Sequence, residues 1–261
     1  MSAMLPPPFH LADRDEVTST NDTAIEMAEA GAAAWSVVRA RLQTGGRGRR
    51  GRVFVSPPGN SYTSFILRPC VTPRDLPQLS LVAGVAVAES IEASAPEIAP
   101  ARCKWPNDIL VNDAKVAGIL VEAGGDAVIV GIGINLVSHP VIRGVATTDL
   151  ASEGAPGVDR DLLLATLCRC LKDRVTVWER FGFASQRQAW LDRAAGIGAR
   201  ASFDGDTSLE GRIVGLADDG ALIVESDGRH MRVVSGTLRL PSDTLRWSGE
   251  TPVRRASEAR A

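Results

Sequence analysis

The rhythm of the chain breaks near Gly196, and that break constrains the fold more than any other feature. Before it, apolar strand-like runs are spaced by long stretches of helical pattern. After it, as far as Leu240, short strands come in quick succession: Arg212 to Leu216, Ala221 to Glu225 and His230 to Val234, parted by the turns Asp218-Asp219-Gly220 and Asp227-Gly228. Segments interrupted that often build a small β-barrel or sandwich. The expected organisation is a large unit over 1–195, a small β unit over 196–245, and a polar Arg/Glu/Ala-rich tail over 246–261 that is expected to be disordered.

Within the large unit, residues 1–18 read as an irregular arm leading into a strand. Ser19-Thr20-Asn21-Asp22 offers N-caps for a helix through Ala28, and Gly31 suits its C′ position. Trp35 to Leu42 is expected as a buried strand. Val53 to Val55 and Tyr62 to Leu67 read as two strands around the turn Pro57-Pro58-Gly59-Asn60. Leu76 to Ala95 is a long apolar helix with few charges, so it should be mostly buried. Strands are expected at Cys103-Lys104-Trp105, Ile109 to Val111, Val116 to Val121 and Ala127 to Leu136. Arg160 to Ala195 is helical, with an interruption near Gly182.

Several classes are disfavoured. No window reaches 18 consecutive apolar residues, which argues against a membrane span. Met1 to His10 has three prolines and no basic stretch, unlike a secretory signal. The arm before Asp13 is too short for a helix-turn-helix. A formal net charge of −2 argues against a bulk nucleic-acid binder. Cys70, Cys103, Cys168 and Cys170 show no metal-ligand spacing and point to a reducing, cytoplasmic setting.

The chemistry-bearing residues fall in three places. Gly45 to Arg52 holds four Gly and four Arg in eight residues. Glycines let backbone N–H groups approach a ligand, and guanidinium forks match carboxylate and phosphate oxygens. The loop lacks the GxxxxGK[ST] pattern of a Walker loop. On composition it reads as a phosphate-binding loop, a Gly/Arg RNA-binding loop or a plain surface turn. The second place is Lys104-Trp105-Pro106-Asn107-Asp108, followed by Lys115 at the head of the apolar run Val116 to Glu122. Taken alone, Lys115 reads as a solvated cation and Asn107-Asp108 as a turn cap. The third is Gly131-Ile132-Gly133-Ile134-Asn135, where alternating glycines let a ligand or another backbone approach one face of a strand. His10, His139 and His230 lie outside all three.

Gln43–Arg52, Lys104–Asp108, Lys115–Glu122 and Gly131–Asn135 occur in the order and spacing of the biotin–protein ligases, and Ser19-Thr20-Asn21 resembles that family's early Ser-Thr-Asn motif. The resemblance covers roughly residues 15–240, and the combination is specific although each piece is weak. It implies an α+β fold: a mixed β-sheet flanked by helices, as in class II aminoacyl-tRNA synthetases, with a small C-terminal Src-homology-3-like β-barrel. It implies a two-step reaction in which biotin and MgATP give biotinyl-5′-AMP and pyrophosphate, and biotin then passes to one lysine of a biotin carboxyl carrier domain. Carried over by motif position, Ser19, Thr20, Asn21, Gln43 and Gly46 fall on the biotin side. Arg47, Gly48, Arg49 and Lys115 lie along the biotin carboxylate and the phosphate. Arg50, Arg52, Trp105, Asn107 and Asn135 join Arg47, Arg49 and Lys115 around the nucleotide. Arg47 and Lys115 are the expected catalytic groups, and no metal ligands are assigned. Family members are monomers or homodimers. Some carry a DNA-binding helix-turn-helix and act as repressors, and no operator binding is expected here. Phe54 stands where the family often has Trp, so packing is expected to differ while the chemistry is kept. A lipoate–protein ligase or octanoyl transferase is the nearest alternative, and an RNA-binding module using the Gly/Arg loop is a second.

A carboxylate attacking the α-phosphorus of a polyanion needs positioning and fixed positive charge more than it needs a covalent nucleophile. That suits a chain rich in motif Arg and Lys with no Ser-His-Asp set.

Overall fold

The structure, a computed structural model, describes residues 5–142, 144–204 and 209–241. The expected tail, 246–261, lies outside the described residues.

Seven strands make one mixed sheet. β1 (His10–Val17) runs parallel to β2 (Ser36–Gln43). Beyond β2 come β3 (Ser61–Leu67), β7 (Ala127–Ile134), β6 (Ala114–Gly124), β5 (Asp108–Val111) and β4 (Arg102–Lys104), each antiparallel to the strand before it. β5 and β6 are joined by Asn112-Asp113 with φ of 48° and 60°. Paired positive φ angles are those of a type I′ hairpin turn, which Asn and Asp tolerate.

Helix α1 (Thr20–Glu29) covers one face. Its Ala24 and Ala28 pack on Val38, Ile66, Ala127 and Ile129. The opposite face carries α2 (Leu79–Ser94), α3 (Arg160–Phe181) and α4 (Ala184–Leu191), which enclose the main core. α2 has no charge before Glu89 and faces neighbours almost all round, hence its uniform apolarity. Pro73–Ser94 is long and apolar enough by composition to cross a membrane, yet 67% of that window is buried inside the fold. Its larger part, α2, is the core helix of this fold, and its first six residues, Pro73–Gln78, are a 3₁₀ turn.

After Ala195 comes an antiparallel sheet of five strands: β8 (Arg200–Asp204), β9 (Leu209–Leu216), β10 (Leu222–Ser226), β11 (Arg229–Val233) and β12 (Thr237–Arg239), in the order β11-β10-β9-β8-β12. Its Phe203, Ile213, Leu216, Val224 and Leu238 belong to the same core as α2 and α3. The Trp105 indole N–H donates to the Gly220 carbonyl at 3.2 Å, fastening the small sheet to the large one.

The large unit departs from the sequence reading at three points. The arm is not irregular to residue 18: His10–Val17 is an edge strand whose half-exposed, charged positions carry no apolar alternation. It is tied down by Arg39, only 4% exposed, whose guanidinium is shared by Asp13 and by Asp161 at the start of α3. Val53 to Val55 is not a strand. It is loop, with isolated bridges Gln43↔Ser56 and Arg47↔Val53, and Val53 is 78% exposed. The apolar helix starts at Leu79, since Pro77 closes the 3₁₀ turn before it.

Candidate active site

The sheet is hollowed where β6 and β7 meet. Gly131 and Gly133 alternate along β7 on the face that carries α1, and Gly118 of β6 lies opposite Gly133. A Cβ on Gly133 would stand 2.5 Å from the Phe54 ring, and one on Gly131 would collide with the Asn21 amide oxygen. The absent side chains leave a cavity of about 380 Å³ on this face. Ser19, Thr20, Asn21, Gln43, Arg47, Gly48, Arg49, Arg52, Trp105, Asn107, Lys115 and Asn135 all border it. Of the residues singled out by motif, Gly46 and Arg50 do not. Gly46 packs under the loop, its carbonyl accepting from Phe54 N at 2.9 Å, with room for no side chain against Phe54 and Ser56. Arg50 points away and donates to the Asp204 carbonyl of β8 at 3.1 Å.

One end of the cavity is a neutral hydrogen-bonding cluster. Gln43 Oε1 accepts from the Thr20 backbone N–H at 2.8 Å and from its hydroxyl at 3.0 Å, while Gln43 Nε2 donates to Ser56 Oγ at 2.8 Å. Ser64 Oγ lies 2.8 Å from Thr20 Oγ1 and 2.6 Å from Asn21 Oδ1. Ser19 is the N-cap of α1 but makes no capping bond with its side chain. Tyr62 and Phe54 pack edge-on beside this cluster, and burial pushes the Tyr62 phenol up to about 12, so it stays protonated.

The other end is cationic, and its charges are held in different ways. Arg47 Nη1 is 2.6 Å from Asp22 Oδ1, and Nη2 is 3.3 Å from Glu122 Oε2. The Asp22 bond chiefly raises the Arg47 pKa above its usual value, against the cost of partial burial. Arg49 reaches only neutral oxygens among the described residues: Asn107 Oδ1 and the Gly236 carbonyl, both at 3.3 Å. Burial, and then the charge of Arg50, hold its pKa below the usual arginine value. Arg52 donates to Thr237 Oγ1 at 3.0 Å, so Arg50 and Arg52 touch the β8–β12 pair and Arg49 the residue just before β12. Lys115 Nζ is 2.5 Å from Asp108 Oδ1 in an ion pair, although that oxygen has no aligned hydrogen-bond donor.

The polar residues at the rim are fixed by backbone. Asn107 Nδ2 donates to Ile119 O at 2.8 Å and Asn135 Nδ2 to Thr148 O at 2.9 Å. The Asn60 amide oxygen gathers the N–H groups of Leu136, Val137 and Ser138 at 2.9, 3.1 and 3.4 Å, pinning the turn that follows β7. Beyond that turn, Pro140, Val141, Ile142 and Val145 form an aliphatic lip. Sequence motifs did not mark Asp22, Glu122 or Ser64 as partners here, nor Thr237 and Leu238 of β12 as part of the wall. Their neighbours in space are far away in sequence, and a charged loop announces no particular acid.

Residues 12–136 match the Biotin/lipoate A/B protein ligase family and residues 201–237 the Biotin protein ligase C terminal domain, which sets the class: ligases of the biotin and lipoate type. Curated relatives narrow it. The biotin–[acetyl-CoA-carboxylase] ligase of Paracoccus denitrificans is 38% identical over 79% of this chain and 90% of its own length. The bifunctional ligase/repressor BirA of Bacillus subtilis is 35% identical over 88% of this chain and 74% of its own length. Among solved structures, the biotin protein ligase of Aquifex aeolicus in complex with biotin and ATP superposes with a TM-score of 0.80 at 28% identity, covering 88% of this chain and 99% of that one. This chain belongs to the biotin protein ligase family.

Proposed function

We propose that the protein is an ATP-dependent biotin–protein ligase, with residues 1–195 as its catalytic unit and 196–245 completing the nucleotide end. The observation that carries this reading is one cavity with a neutral hydrogen-bonding end, a glycine floor and a cationic end. A ureido ring offers both donors and acceptors, and Gln43 and Thr20 supply both kinds on the cavity wall, with Ser64 behind them. A hydrocarbon chain suits the floor of Gly118, Gly131 and Gly133. An acid and a triphosphate suit Lys115 and Arg49.

In the first step a biotin carboxylate oxygen attacks the α-phosphorus, the bond to the bridging oxygen breaks and pyrophosphate leaves. Lys115 sits where it can span the carboxyl and α-phosphate oxygens, spreading the growing charge. Arg49, partly desolvated and bonded by no carboxylate among the described residues, meets a phosphate, because an anion there removes the cost of its burial. Arg47, aimed by Asp22 and Glu122, turns the rest of its guanidinium edge to the substrate acid. Trp105 walls the nucleotide side, and Asn107 and Asn135 hold its rim. Among the described residues no three His, Cys, Asp or Glu side chains gather into a metal cage. Mg²⁺ would be held chiefly by the ATP phosphates, with Asp108 a candidate oxygen donor, and would supply further neutralisation there.

In the second step the amine of a carrier-domain lysine attacks the mixed-anhydride carbonyl, AMP leaves and the nitrogen loses a proton. The four free thiols fit a reducing compartment such as the cytoplasm. The deciding experiment incubates the protein with biotin, MgATP and a biotin carboxyl carrier domain and reads the carrier's mass. Biotin addition that lipoate does not displace is the expected result; no biotinyl-AMP and no mass gain would overturn the reading.

A further inference from the structure

Glu122, on β6, touches one residue from each end of the cavity, Asn21 and Arg47, and takes no part in the chemistry assigned above. Its Oε2 accepts from Asn21 Nδ2 at 2.6 Å, and its two oxygens lie 3.4 and 3.3 Å from Arg47 Nη2. Both ends of the Asn21 amide are therefore claimed, Nδ2 by Glu122 and Oδ1 by Ser64. The amide also lies so close over Gly131 that no Cβ fits between them. An amide held that way cannot flip, and its orientation is passed through Ser64 to Thr20 and Gln43. The same carboxylate holds one arm of the Arg47 fork while Asp22 of α1 holds the other. A single anion thus fixes a neutral recognition group and a cationic one relative to each other, from a strand rather than from the loop that carries Arg47.

A carboxylate beside a site for two anionic substrates is electrostatically wrong for attracting them. Its place there is explained by direction: with only three-tenths of its side chain exposed, it keeps enough strength to aim a guanidinium. We infer that Glu122 is a positioning residue for biotin, setting Asn21 and Arg47 in the frame that receives the ring at one end and the acid at the other. This rests on the reading of the cavity as a biotin site.

The test measures biotin affinity by calorimetry, with ATP–pyrophosphate exchange alongside. Glu122→Gln keeps the shape and removes the charge. It is expected to weaken biotin binding tenfold or more while the KM for ATP moves less than twofold and the thermal midpoint is unchanged. In a chain already carrying Asn21→Ala and Arg47→Ala, the same change is expected to add less than twofold, because its two targets are gone. Unaltered biotin affinity in Glu122→Gln, or an undiminished loss in the Asn21/Arg47 background, would overturn the inference. Should Glu122→Gln not fold, Glu122→Asp withdraws the carboxylate by one methylene and is expected to act in the same direction, its failure to do so counting against the role. Wild-type protein that binds no biotin would instead sink the functional reading, a distinguishable outcome.

Discussion

Arg47 and Arg49 are two residues apart on one loop, yet they are opposite kinds of cation. Arg47 lies between Asp22 and Glu122, and its charge is answered before any ligand arrives. Arg49 lies deeper against two neutral oxygens, with Arg50 pressing on it; among the described residues no carboxylate bonds it, and Asp108 answers its charge only from a distance. Guanidinium groups in the first state are aimed; those in the second are hungry. A site that joins a carboxylate to a polyphosphate needs both, since a loop of unanswered arginines would repel itself and one of answered arginines would bind no anion tightly.

The largest effect is expected from the cation outside the loop. Lys115→Ala should cut biotinyl-AMP formation by roughly 10²-fold or more, about 3 kcal/mol, and depress transfer to the carrier as well. If only the KM for ATP changed, the three cations would not divide the labour as described. Arg49→Met should raise the KM for ATP by about 30-fold, roughly 2 kcal/mol, and leave biotin affinity within about threefold. Because it removes a half-buried charge that no carboxylate bonds among the described residues, its melting temperature should hold or rise; a clear fall would mean Arg49 is neutralised in the ligand-free protein. Arg47→Lys keeps the charge and loses the fork, so exchange should slow by more than tenfold, about 2 kcal/mol, with the loss showing first in the biotin dependence. Equal ATP-side losses in Arg47→Lys and Arg49→Met would erase the contrast. Smallest is Arg50→Ala: its exposed bond to Asp204 contributes about 0.5 kcal/mol, so exchange should stay within about threefold. A large loss there would put Arg50 back among the nucleotide contacts.

The loop itself was legible because four arginines and four glycines in eight residues have few uses. The glycine floor was legible for a different reason: Gly131 and Gly133 interrupt a strand that from Val128 to Ile134 is otherwise Val and Ile. What the motifs did not carry is which acid answers which arginine. Asp22 is 25 residues from Arg47 and Glu122 is 75, and only the packing of α1 over β6 brings them together. β1 escaped for the converse reason. In His10–Val17 the backbone ladder to β2 does the work, and the side chains, with four charges in a row from Asp13 to Glu16, keep no period of two. Val53 and Val55 misled because β-branched residues suit strands, whereas here they stand in solvent at the rim of the cavity.

Asn60 has a consequence for how this site can move. One side-chain oxygen closes off three successive backbone donors, so the strand cannot unzip past Asn135 when the aliphatic lip shifts. Were the lip to shift, the turn between it and β7 would stay tied to Asn60, and the end of the strand that borders the cavity would keep its place.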